Sequence, residues 1–253
     1  MSTVSRAAVH QAASPRDRVY LRAAVVCLAI AVAGFVPSFW APLARGTIAV
    51  PRLAYLHALL LYLWLVLFVR QTMLAAAGRL DHHKAWGVFG AAVVGAMVVV
   101  SLGLTIIIIK RHEAAGFADQ ARAFAIVPVT AILTFAGLFA AALLNTRRPE
   151  FHKRIMLVAN VSLLLPAIGR LLRLLAAAPP GGPPPVPFSI VPSMLGNLVI
   201  VAAMIHDRRT TGRVHPAYWW AGGALLAVQI ARIPLSALPA WHDVARWLVS
   251  MAP

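Results

Sequence analysis

Residues 85–109 read AWGVFGAAVVGAMVVVSLGLTIIII, twenty-five positions without one charged side chain. A helix needs about 20 such residues to cross the hydrocarbon core of a bilayer. A surface helix of a soluble domain would show a polar face over that length. Six further apolar runs, at 20–39, 53–77, 123–144, 154–176, 187–205 and 217–238, have the same character and are joined mostly by short polar linkers. The sequence therefore predicts an all-α fold, a polytopic membrane bundle of about seven transmembrane helices. Composition agrees: of 253 residues 61% are hydrophobic and 12% charged, with a mean hydropathy of +0.81. An average soluble domain is about 45–50% apolar, so a soluble globule is excluded.

The formal charge is +16, from 23 Lys and Arg against 7 Asp and Glu. Nucleic acid is the wrong partner for this charge, because the positives sit in loops between apolar runs, where lipid headgroups and the positive-inside rule place them. The N-terminal tail and the linkers around 79–84, 147–154 and 206–215 carry more Lys and Arg than the alternate linkers. That bias predicts the N-terminus inside and the C-terminus outside. The division expected is a cytoplasmic tail over 1–19, a transmembrane domain over 20–238, and an amphipathic tail over 239–253 along the outer surface. The first run follows a basic segment, as a signal peptide would, but its apolarity continues through Phe39 and Trp40 and reads as an uncleaved anchor. Cys27 is the one cysteine, so no intrachain disulfide can form. Small residues at Gly87, Ala91, Gly95 and Gly103, and at Gly223, Ala227 and Ala231, predict close helix contacts.

The most specific internal signal is a repeated hexad. Arg79-Leu80-Asp81-His82-His83-Lys84 and Arg148-Pro149-Glu150-Phe151-His152-Lys153 both read Arg, any, acid, any, His, Lys, each just before a membrane helix. The repetition predicts two equivalent helical hairpins, with His83 and His152 at equal depth. A third linker places His215 at the start of the next helix, followed by Pro216. Neutral imidazole ligates haem iron or zinc, and a nearby acid (Asp81, Glu150 or Asp207) can orient the other ring nitrogen. The plainer reading is that these histidines are interfacial side chains at headgroup depth.

A second polar layer is expected in the outer leaflet. At 1.5 Å per residue His57 lies about 9 Å in from Pro51, Arg170 about 25 Å from Lys153, and Arg232 about 24 Å from Pro216. In a core of about 30 Å these three share one depth. Together they would hold a carboxylate, a phosphate, a haem propionate or a quinone carbonyl; as separate residues the arginines would snorkel to the headgroups.

The residues Leu56-His57, Gly78-Arg79 with His83-Lys84 and Gly87, Arg147 to Glu150 with His152-Lys153-Arg154 and Met156, and Arg213 to Tyr218 resemble an uncharacterised family of bacterial multi-pass membrane proteins. That resemblance implies the bacterial cytoplasmic (inner) membrane. More distantly, histidines at helix ends in a duplicated bundle are similar to the di-haem membrane cytochromes of b type. This implies one haem b on His83 and His152 at the inner face, with Lys84, Lys153 and Arg154 near its propionates. Helix four offers no histidine to pair with His57, so a second haem is not expected.

Three functions follow. The first is a redox protein with haem b on His83 and His152 and a quinone or small anionic ligand near His57, Arg170 and Arg232. The second is a zinc-dependent membrane enzyme with the metal on His83, His152 and His215. The third is a binding, transport or assembly protein that holds no cofactor and whose polar layer recognises membrane lipid or a solute. The chain has no phosphate loop, no His-Glu-x-x-His and no Cys-x-x-Cys-His, so nucleotide chemistry, zinc-protease chemistry and covalent haem are not expected.

Overall fold

A computed structural model of the chain describes residues 15–175 and 182–251. The expected tail over 1–19 falls largely outside the described residues, as does the beginning of the proline-rich stretch PPGGPPPVP at 179–187. The described residues form helices and no strand. In chain order these are α1 (Pro15–Phe35), a π-helical turn (Val36–Trp40), α2 (Ala41–Ala44), α3 (Arg52–Ala76), α4 (Leu80–Ala114) and α5 (Ala118–Leu144). They continue with α6 (Pro149–Ser162), α7 (Leu165–Leu175), a 3-10 turn (Val186–Ser189), α8 (Ile190–Thr211), α9 (Pro216–Ser236) and α10 (Pro239–Ser250). Among the described residues six stretches are long and apolar enough to cross a membrane: Arg18–Ala44, Arg52–Ala76, Leu80–Ala114, Ala118–Leu144, Pro149–Leu175 and Val186–Thr211. A seventh is reached when α9 and α10, bent by 93° where they meet, count as one span. This is an integral membrane helix bundle.

Helix ends follow from local chemistry. α4 outruns its apolar stretch at both ends, because Leu80–Lys84 and Lys110–Ala114 continue the helix as polar turns. Gly78 at φ 69° and Gly116 at φ 88° stop the chain on either side, in the left-handed conformation that glycine adopts without steric cost. The fifth span, expected as one helix, is broken between α6 and α7. Pro166 has no N–H to give the Ser162 carbonyl, and its ring crowds that turn. The first span carries Pro37 in its π-helical turn.

α3, α4, α5 and α6 pack in chain order as neighbouring hairpins. α1 lies against α3 and against the α6–α7 span, α8 flanks that span, and α9 closes on α5 and α6. The main core is aromatic: Trp64 meets Phe135 edge-on at 5.3 Å and Phe139 at 5.5 Å between ring centres. Trp64 Nε1 also donates to Asn160 Oδ1 at 3.2 Å, tying α3 to α6. Lipid-facing positions are equally clear, since Val88 and Val99 on α4 are 76% and 71% exposed. The expected small-residue seams hold in part: a Cβ added at Gly103 would stand 3.3 Å from the Leu53 side chain and one at Gly87 3.5 Å from Gln71 Nε2, whereas at Gly95 or Gly223 it would meet nothing within 4 Å. The tight contact is at Gly34, where a Cβ would stand 2.4 Å from the Ala167 carbonyl oxygen.

α10 turns off at Pro239 and lies across the ends of α4 and α5. Ala245 is buried there, and Trp241 Nε1 donates to the Arg122 carbonyl at 2.8 Å. Val244, Trp247 and Met251 remain exposed.

Candidate functional site

The bundle has two chemically distinct ends. At one, which carries the turns before α4, α6 and α9, the duplicated hexad brings two imidazoles together. His83, in the first turn of α4, holds Nδ1 3.2 Å from the Gln71 carbonyl at the end of α3, and Gln71 Nε2 donates to the His83 carbonyl at 2.9 Å. His152, in the first turn of α6, holds Nδ1 2.8 Å from the Ala142 carbonyl at the end of α5. A carbonyl only accepts, so each Nδ1 carries a proton and each Nε2 is the ring nitrogen left facing away from that bond. The ring centres are 6.2 Å apart, with planes at 83°.

Two sequence expectations change at this end. The acids do not orient the histidines; backbone carbonyls do. Asp81 instead approaches Lys84 at 4.0 Å, and Glu150 pairs with Lys153 at 2.7 Å. Asp207, almost fully buried, takes a two-pronged hydrogen bond from Arg154 at 2.7 and 2.9 Å. His215 does not join the histidine pair. It caps α9, with Nδ1 accepting from the Ala217 N–H at 3.2 Å, and its ring packs on Phe151 at 4.6 Å. Burial, and then the Arg154 guanidinium, lower its pKa below the ordinary histidine value. Among the described residues no three His, Cys, Asp or Glu side chains form a group that could hold a metal ion. The proposed triad of His83, His152 and His215 is thus a pair plus a helix cap.

The Arg154–Asp207 pair was not singled out from the sequence. Arg154 is buried between α6 and α8, also bonds Glu150, and stands 5.8 Å over the Tyr218 ring. Glu150 and Arg154 at i, i+4 on one helix were the only local signal of it; the Asp207 partner lies 53 positions away.

At the opposite end the centre of the bundle is hollow. A cavity of about 590 Å3 lies between α1, α3, α4, α5, α7 and the 3-10 turn. Its walls are mostly apolar, with Phe35, Phe39, Leu61, Leu104, Ile108 and Phe124 among them. Its polar groups are few. His57 Nδ1 is 3.2 Å from the Ser101 hydroxyl, and Thr105 donates to the Ser101 carbonyl at 2.8 Å. Arg170 lies 4.3 Å over the Phe35 ring and donates through Nη1 to the Pro166 carbonyl at 3.1 Å. Its side chain is exposed and is among the groups lining the cavity. Arg173 and Ser189 also line it. The prolines give the cavity its shape: Pro128, Pro166 and Pro192 all line it, and Pro128 and Pro166 each free a carbonyl in the turn before.

His57 and Arg170 therefore share one cavity, as their common depth predicted, and Arg232 does not. Arg232 faces α5 instead, buried, with Nε donating to the Thr130 hydroxyl at 2.6 Å. Gln229, one turn earlier, is taken up by Asn197 at 2.8 Å. Depth along a helix was legible in the sequence; the direction in which α9 points its side chains was set by packing.

Comparison with protein-family models, with curated proteins and with solved structures finds no match to this chain. These comparisons add nothing to the likeness to b-type cytochromes that the histidine placement suggested.

Proposed function

We propose that this chain is a membrane protein that binds a small amphiphile, quinone or anion, in the cavity holding His57 and Arg170. The observation that carries this reading is the cavity itself. Its volume lies within the range of about 300–1,000 Å3 typical of ligand clefts, which are apolar pockets with a few placed polar groups. The imidazole of His57, fixed by Ser101, and the guanidinium of Arg170, fixed by Phe35 and Pro166, are two rigid hydrogen-bonding groups for a ligand headgroup. With the positive-inside bias, this cavity opens toward the outer face of a bacterial cytoplasmic membrane.

The test is a binding assay on detergent-purified protein with a short-chain quinone and a fatty acid, each measured against Gly169→Leu. Gly169 lines the cavity, and a Cβ there meets only ordinary contacts, the nearest at 3.7 Å. A Cβ is thus accommodated at 169, and thermal stability is the check that the larger leucine is as well. Binding to the parent chain and its loss in Gly169→Leu, with thermal stability retained, is the expected result. Equal binding by both proteins rejects the site.

One observation favours a second reading, a redox protein with haem b at the other end. The 6.2 Å between the ring centres of His83 and His152 is near enough for both imidazoles to hold one haem iron. Space is the limit, since Phe68 and Phe139 pack one turn deeper on the helices that supply Gln71 and Ala142. A bound haem would supply one-electron transfer there; His83 and His152 would hold it and the carbonyls of Gln71 and Ala142 would orient them. An oxidised and a dithionite-reduced spectrum decide this. A Soret band lost in His83→Ala and in His152→Ala, and kept in His242→Ala, supports haem; a colourless protein expressed with haem supplied rejects it.

A further inference from the structure

The charge inventory of the cavity narrows its ligand. Arg170 and Arg173, one turn apart on α7, both line it, and no Asp or Glu does. Neither arginine has an ion-pair partner among the described residues, and the stretch 176–181 that follows α7 contains no acid. The nearest acid in sequence to a lining residue is Glu113, beside His112, and Arg122 holds it at 2.7 Å. The cavity thus carries two guanidinium groups, Arg170 exposed and Arg173 half-buried, with no carboxylate among the described residues to neutralise them.

A second, independent observation points to an absent acceptor or donor. Ser189 lines the same cavity with 2% of its surface exposed, and among the described residues its hydroxyl has no hydrogen-bond partner. Buried hydroxyls are seldom left unpaired. Arg170 uses Nη1 on the Pro166 carbonyl, which leaves the rest of its donor fork available. A planar or tetrahedral oxyanion is the group such a fork best recognises.

Resting on the cavity reading above, we infer that the ligand is a single-chain amphiphile whose headgroup is an oxyanion, a carboxylate or a phosphate monoester, drawn from the lipid phase. The anionic head compensates Arg170 and Arg173 and supplies acceptors to Ser189; the apolar walls take one chain. A neutral headgroup leaves both guanidinium groups without a counter-charge, so the site discriminates by charge before shape.

The experiment uses the full chain in a neutral detergent and three probes of matched tail, palmitate, hexadecyl phosphate and hexadecanol, with a decyl quinone as a fourth probe and inorganic phosphate as a fifth. The two anions are expected to bind at least about tenfold more tightly than hexadecanol, since a charge-assisted hydrogen bond is worth about 1.5–3 kcal/mol. Arg170→Gln should remove that preference, and Arg170→Lys should keep part of it. Tighter binding of hexadecyl phosphate than palmitate assigns the phosphate head, and the reverse assigns the carboxylate. Inorganic phosphate binding as tightly as hexadecyl phosphate would overturn the lipid source. Hexadecanol or the quinone binding as well as the anions, or an unchanged preference in Arg170→Gln, overturns the oxyanion inference while the cavity reading stands. Failure of all tailed probes overturns both.

Discussion

His215 can cap α9 only while its ring is neutral, because Nδ1 must accept from the Ala217 N–H. Burial and Arg154 disfavour its charged form and lower its pKa. As pH falls below the ordinary histidine value of about 6.5, the unfolded chain takes up this proton before the folded one does. Stability is therefore full above that pH and declines as pH falls toward the lowered folded pKa. The thermal midpoint is expected to drop between pH 7.5 and pH 5.5, and to drop less in His215→Ser, which keeps a capping oxygen. The same pH slope in the two proteins would show that another group is responsible. At this scale the sequence disclosed the histidine pair, because a repeated hexad fixes both residue type and distance from the helix start. It hid Arg154–Asp207, because a side chain's partner on a remote helix depends on how α6 and α8 are rotated.

At the scale of elements, apolar runs located the spans, and their departures from simple helices have covalent causes. Pro166 divides the fifth span, and Pro239 follows the turn from α9 into α10. What the apolar pattern did not disclose is where two helices touch backbone to backbone. Gly34 is such a place: α1 meets α7 so closely that a methyl group would overlap the Ala167 carbonyl. Gly34→Ala must therefore push α1 off α7, at a cost of about 1–3 kcal/mol as for other overpacked sites. Unfolding in mixed micelles would measure it; a change below about 0.5 kcal/mol would mean that the helices part freely. Gly95→Ala, facing open space, is the matching control. Glycines in equivalent sequence settings thus differ in consequence, and only the packing separates them.

For the whole molecule, the all-helical membrane architecture was legible from hydropathy alone, because burial in lipid demands internally satisfied backbone. The cavity was not, since a hollow arises from how six elements meet. Sidedness remains encoded in Lys and Arg, and the turn around Gly78 is expected inside and that around Gly116 outside. With Cys27 replaced by alanine, single cysteines at Arg79 and at Ala115 would report this to an impermeant maleimide on intact cells. Labelling at 115 alone is expected; labelling at 79 alone would invert the whole bundle.

The length of α4 carries a consequence for the surrounding lipid. Its 35 residues extend about 52 Å at 1.5 Å each, and its uncharged stretch alone is about 37 Å against a hydrocarbon thickness of about 30 Å. Such an excess is absorbed by leaning the rod away from the membrane normal or by stretching neighbouring acyl chains. α10, lying across the far end of this rod, would then share its inclination, so bilayer thickness would be felt at the mouth of the hollow.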